Sequence, residues 1–184
     1  MLSLQSNFHN GAAFVEAWNL LSHPFVLPAR DRGPRCAHPS SLSIIILTQS
    51  HTDLPSFEKH VLHIAQAGVG PLLAGTNGEA IHLLHDERIT LIKAARRALD
   101  GNGFADVPLI VGTGAGSTRE TVLLCRAAAQ AGADYAIVIT PGYFSAVLAN
   151  DREALKAFYR EVSQKSPIPI ILYNCEYGTA SICG

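Results

Sequence analysis

From Asp53 onward, apolar residues alternate between two spacings, and that alternation predicts the fold. Leu54 to Ala67 sets Phe57, Val61, Leu62, Ile64 and Ala65 at helical intervals before Gly68, a glycine stop. Pro71-Leu72-Leu73-Ala74-Gly75 is short enough for a buried strand. Asp86 to Leu99 returns to helical spacing, with Ile89, Ile92, Ala95 and Leu99 on one side and Arg88, Lys93, Arg96 and Arg97 on the other; Gly101-Asn102-Gly103 ends it. A strand from Pro108 to Val111 follows, then a helix from Ser117 to Ala131 opened by the capping-box spacing Ser117-Thr118-Arg119-Glu120, then a strand from Tyr135 to Ile139. A helix from Asp151 to Val162 leads to Ile168-Pro169-Ile170-Ile171-Leu172-Tyr173, an apolar run suited to a parallel strand covered on both faces. Units recur at roughly 25 to 40 residues, as βαβ units do.

Such alternation fits an open doubly wound sheet or a closed barrel. Polar, glycine-rich or aromatic clusters stand just after successive strands: Gly75 to Glu79, Gly112 to Ser117, Pro141-Gly142-Tyr143 and Tyr173-Asn174. Converging side chains on the C-terminal rim is how a (β/α) barrel builds its site, and this selects the barrel. A full eight-stranded TIM barrel needs roughly 250 residues, whereas four or five strands are countable here, about strands 1 or 2 to 5. The expected division is an irregular extension over 1–45, a partial barrel over 46–174 and a divergent tail over 175–184. His23-Pro24, Pro28, Gly33-Pro34 and His38-Pro39 punctuate the extension, leaving room for a short helix around Ala12 to Leu21. Ile44 to Leu47 fits a first apolar strand.

Composition agrees with one sizeable core: of 184 residues, 48% are hydrophobic and 16% charged. The net charge of -1 and pI near 6.7, with Lys and Arg scattered, lack the footprint of a nucleic-acid or membrane-surface binder. A small molecule or a second copy of the chain is the expected partner. Cys36, Cys125, Cys175 and Cys183 have no metal-type spacing and are expected to be reduced. No run approaches the roughly 18 apolar residues of a membrane helix. A cytoplasmic protein is expected; Arg30, Arg32 and Arg35 in a segment short of acidic residues make a mitochondrial targeting peptide the alternative.

The order and spacing of AGVGPLLAGTNGEAIHLLHDER, PLIVGTGAGSTRETV, AGADYAIVITPGYF and PIPIILYN carry a resemblance. Over Asp53 to Tyr173 the chain resembles the class I pyruvate aldolases, the family of dihydrodipicolinate synthase, N-acetylneuraminate lyase and 4-hydroxy-2-oxoglutarate aldolase. Read physically, Gly75-Thr76-Asn77-Gly78 puts a hydroxyl, an amide and backbone N–H groups at a strand end, a cradle for a carboxylate. The resemblance makes Gly75, Thr76 and Asn77 the grip on a 2-oxo acid and gives the Thr76 hydroxyl a place in a proton relay. Asn77 tilts the likeness toward 4-hydroxy-2-oxoglutarate aldolase. Tyr173 ends the last strand, where a phenol of pKa near 10 can pass protons along a hydrogen-bonded chain, and by resemblance it is the catalytic tyrosine. Tyr143 resembles the aromatic pair that completes the relay, often across a subunit interface; of Tyr143 and Phe144 only Tyr143 has a proton to give. The resemblance implies a carbon–carbon lyase that needs no metal or organic cofactor and acts as a homo-oligomer in its complete form.

The same resemblance calls for a lysine, on the strand after Tyr173, that attacks the substrate ketone to form a Schiff base. Lys59, Lys93 and Lys156 fall on predicted helices and Lys165 at the opposite face of the barrel. The sequence as it stands is therefore expected to be truncated and inactive or nearly so, the alternative being a non-catalytic product or regulatory remnant of such an aldolase. A dinucleotide-binding reading of Gly112-Thr113-Gly114-Ala115-Gly116 fails because Ser117 stands where the third glycine belongs. A metal site from His82 and His85, or from His60 and His63, lacks a converging carboxylate and histidine set.

Overall fold

The two spacings resolve into strands and helices where they are predicted, in a computed structural model that describes residues 14–17, 47–48, 51–148 and 151–173. In chain order the elements are β1 (Phe14–Ala17), β2 (Leu47–Thr48), β3 (His51–Thr52), α1 (Leu54–Gln66), β4 (Leu72–Leu73), α2 (His85–Gly101), β5 (Ile110–Gly112), α3 (Thr118–Ala131), β6 (Tyr135–Ile139), α4 (Ser145–Leu148), α5 (Arg152–Lys165) and β7 (Ile170–Tyr173); a single 3-10 turn, Ala80–His82, precedes α2. Local chemistry marks the helix ends. The Asp53 carboxylate accepts from Ser56 N at 3.2 Å to open α1, and Asp151 does the same for Ala154 N at 2.9 Å before α5. Ser117 Oγ accepts from Glu120 N at 3.2 Å, forming half of the anticipated capping box. Gly68, Gly103 and Gly132 follow α1, α2 and α3 with positive φ.

Topology decides between the two candidate folds. β4, β5, β6 and β7 are parallel neighbours in sequential order, without the reversal of a doubly wound sheet. α1 packs on α2, α2 on α3 and α3 on α5, a single row of helices on one face. Alternate strand residues separate the two faces. Leu73, Val111, Ala136, Val138, Ile170 and Leu172 meet the helices, while Leu72, Ile110, Ile137 and Ile171 form a cluster of their own on the other side, joined by Tyr135 and Tyr173. This second cluster is the interior layer of a partial (β/α) barrel, the arc that strands 2 to 5 of a closed one would form.

Three expectations change. Phe14–Ala17, expected in a short helix, is a strand that pairs in parallel with β7, Ala17 opposite Tyr173. The open edge of β7 offers N–H and C=O partners that a helix would leave unused. Of the apolar stretch Ile44 to Leu47 only Leu47 is described, and it lies in β2, which pairs antiparallel with β3; the rest of the expected extension and the expected tail over 175–184 lie outside the described residues. Arg88 and Arg96, placed on the solvent side of α2, are half-buried. Arg96 reaches the loop carbonyls of Phe104, Ala105 and Val107 and pairs with Asp134 at 3.3 Å, so a long stem carries its charge across apolar surface to a polar cluster.

Candidate active site

β4 ends in a tightly closed turn. Gly75 O accepts from Gly78 N at 3.1 Å and from Ala80 N at 3.4 Å, and Thr76 O accepts from Glu79 N at 3.0 Å. Ala74 and Glu79 bracket it with φ of 51° and 50°, left-handed backbone that costs any residue with a Cβ. The N–H groups of Gly78, Glu79 and Ala80 are thus engaged in closing the turn. The donors left open, among the described residues, are the Thr76 hydroxyl, the Asn77 amide and the N–H groups of these two exposed residues. Two side chains and at least two amides are thus not used in closing the turn, between two residues of left-handed backbone.

The neighbouring turn is nested against it. A Cβ at Gly112 would lie 1.8 Å from Ala74 O, and one at Gly114 would lie 2.6 Å from the Ile139 side chain, so both glycines are imposed by close approach. Thr113 is buried, donating its N–H to Ile137 O at 3.0 Å with its hydroxyl 3.3 Å from Cys125 Sγ; burial pushes the Cys125 thiol up. The Thr121 hydroxyl accepts from Ala115 N at 3.2 Å and completes the entry to α3.

Tyr173 ends β7 opposite Ile139 and packs on the interior cluster, at the rim level expected of it. Tyr143 follows β6 at the same end of the parallel sheet and is 89% exposed, its ring edge-on to Phe144 at 4.8 Å between centroids. The chain brings the 75–79 turn, Tyr173 and the loop after β6 to the strands' C-terminal ends, and Tyr143, Phe144 and Val147 are exposed there. Lys59, Lys93, Lys156 and Lys165 are exposed on α1, α2 and α5. His85 Nε2 meets Glu120 Oε1 at 3.2 Å, and the His60 and His63 rings lie 6.4 Å apart. Among the described residues no group of three or more His, Cys, Asp or Glu side chains is arranged to hold a metal ion.

One contact beside the turn escaped sequence reading. Arg88, in the first turn of α2, donates from Nη2 to Ala80 O at 2.5 Å, just beyond the turn. Its one visible signal was a cation at a helix N-terminus, where the helix dipole disfavours it.

Sequential parallel strands, one layer of helices and a polar rim at the strands' C-terminal ends define a partial (β/α) barrel. A family model described as the dihydrodipicolinate synthetase family matches residues 43–182, and the chain belongs to that family. The match extends beyond both ends of the motif-bearing stretch Asp53 to Tyr173. Among curated relatives, the chain is 44% identical over 131 residues to a protein of Emericella nidulans named a probable mitochondrial 4-hydroxy-2-oxoglutarate aldolase, covering 71% of this chain and 42% of that one. It is 43% identical over 131 residues to an L-threo-3-deoxy-hexylosonate aldolase of Aspergillus niger, covering 71% and 39%. The chain thus spans about two fifths of the length of these curated relatives. A solved dihydrodipicolinate synthase of Acinetobacter baumannii, complexed with pyruvate, superposes with a TM-score of 0.68 at 32% identity, covering 78% of this chain and 48% of that one. No helix among the described residues is long and apolar enough to cross a membrane.

Proposed function

We propose that this chain supplies the substrate-holding rim of a Schiff-base-type lyase acting on pyruvate or a related 2-oxo acid, nearest in kind to 4-hydroxy-2-oxoglutarate aldolase or dihydrodipicolinate synthase. The observation that carries the reading is the strained turn at the end of β4, whose unspent donors belong to Thr76 and Asn77. Gly75, Thr76 and Asn77 take the carboxylate through N–H, hydroxyl and amide donors. Tyr173, with its phenol at the rim, passes the proton released or required as the adjacent C–C bond breaks or forms, and Thr76 and Tyr143 continue that relay. An amine attacks the substrate ketone, water leaves, and the resulting iminium accepts the electron pair of the breaking bond, so the chemistry needs neither metal nor organic cofactor.

Relatives named for 2-oxo acid aldol chemistry and a pyruvate-bound neighbour support this substrate class. The exposed Tyr143, Phe144 and Val147 support a homo-oligomer in which a second copy covers them. The mitochondrial address in the name of the Emericella nidulans relative supports the second of the two locations weighed above, the mitochondrion rather than the cytoplasm. The three-part division of the chain, an extension over 1–45 whose Phe14–Ala17 joins the sheet, a partial barrel over 46–174 and a tail over 175–184, remains our proposal.

The positions of the four lysines favour a second reading, that this chain by itself binds without reacting. All four stand on the helix layer, away from the rim. Incubation with pyruvate and borohydride, followed by peptide mass mapping, tests the assignment. No adduct is expected on Lys59, Lys93, Lys156 or Lys165; a stable adduct on any of them contradicts it. Loss of pyruvate binding altogether would favour the non-catalytic remnant.

A further inference from the structure

We propose that Arg88 is a positioning residue for the carboxylate-holding turn: its guanidinium fixes the Ala80 carbonyl and, through Ala80, the backbone from Gly75 to Glu79. The proposal rests on the reading of that turn as a 2-oxo acid grip.

Arg88 is costly where it stands. It is the fourth residue of α2, at the helix end whose partial positive charge suits the acidic Asp86 and Glu87 beside it and opposes a cation. It is half-buried, and its Nε is buried with no hydrogen-bond partner among the described residues. Burial lowers the guanidinium pKa, and the charge of Glu120 on α3 acts in the opposite direction. A desolvated cation at the wrong end of a helix needs an offsetting interaction.

That interaction is the charge-assisted bond from Nη2 to Ala80 O at 2.5 Å. Ala80 is held on its other side by its own N–H to Gly75 O at 3.4 Å. Residue 80 is thereby tied to the first residue of the turn and to α2, and Glu79 between them keeps its left-handed φ of 50°. Released from Arg88, Glu79 relaxes toward ordinary backbone, and the Thr76 and Asn77 donors lose their common direction. Glu120 links this arrangement to the adjacent rim turn: its N–H is capped by Ser117, its carboxylate meets His85, and its field reaches Arg88. Arg88 acts through the backbone and touches no substrate.

The test uses the full chain, isotope-labelled, with Arg88→Met, which keeps the apolar stem, and Arg88→Lys, which keeps the charge. Amide hydrogen exchange and pyruvate titration are the readouts. In Arg88→Met, exchange at Gly78 and Ala80 should accelerate by about tenfold or more while amides from Leu91 to Leu99 stay within about twofold, and pyruvate affinity should fall by about tenfold. Arg88→Lys should recover most of both, which general destabilisation would not produce. Unchanged exchange at Gly78 and Ala80, or acceleration spread evenly over α2 and the sheet, overturns the proposal. Should Arg88→Met fail to fold, Arg88→Lys decides by the same pattern with a smaller, local acceleration. If wild type binds pyruvate and the variants bind it equally well, only the role of Arg88 fails. If wild type shows no pyruvate binding, the grip itself fails and the positioning role with it.

Discussion

Ala74 and Gly112 meet at the closest approach in the rim: the carbonyl of one occupies the space a side chain on the other would need. Gly112→Ala must displace either β5 or the start of the carboxylate turn. Overpacking of this kind costs about 1–3 kcal/mol, and the strained backbone at Ala74 leaves little room to absorb it. We expect a stability loss at the upper end of that range by urea unfolding, with pyruvate binding weakened beyond what the stability loss explains. Wild-type stability in Gly112→Ala would mean that the two turns are not nested as described. The placement of Thr76, Asn77 and Tyr173 at strand ends was legible, because each closes or follows a short apolar run that forms a strand. The direction of a single side chain was less so. Tyr143 reads as a rim residue from its place after β6, and the pattern of the chain does not record that its ring stands exposed beside Phe144.

At the scale of elements, periodicity carried most of the fold. α1, α3 and β6 lie within a residue or two of their expected bounds, because capping residues and glycine stops act locally and need no tertiary partner. The misses share another cause. Phe14–Ala17 became a strand by pairing with β7, a contact more than 150 positions away along the chain. Arg88 and Arg96 turned inward because long side chains can bury their stems while their heads reach carbonyls or a carboxylate, which a helical wheel does not encode. The α1 cap gives an element-scale prediction. Hydrogen bonds from Ser56 lower the Asp53 pKa, with a smaller contribution from Lys59. A lowered native value means that the cap's contribution is present above the unfolded value near 3.9 and is lost as pH falls through the native one. Thermal unfolding followed from pH 7 to pH 2.5 should show a smaller acid loss in Asp53→Asn, which caps without titrating, than in wild type. Equal acid losses in the two proteins would remove Asp53 from the account.

The described part of the molecule is an arc of parallel strands backed by one layer of helices, with β4 at one edge of the sheet and a rim that carries donors but no lysine among the described residues. Fold and family were legible because four motifs, three of them bearing glycines, follow one another in barrel order. The grip is the claim on which the proposed function depends, and titration of the labelled chain with pyruvate, followed through backbone amide shifts, tests it most directly. The account predicts saturable shifts centred on Thr76 and Asn77, weakened about tenfold in Thr76→Val by loss of one hydrogen bond to a charged group. Absence of saturable shifts at the turn, or equal binding by Thr76→Val, would contradict it.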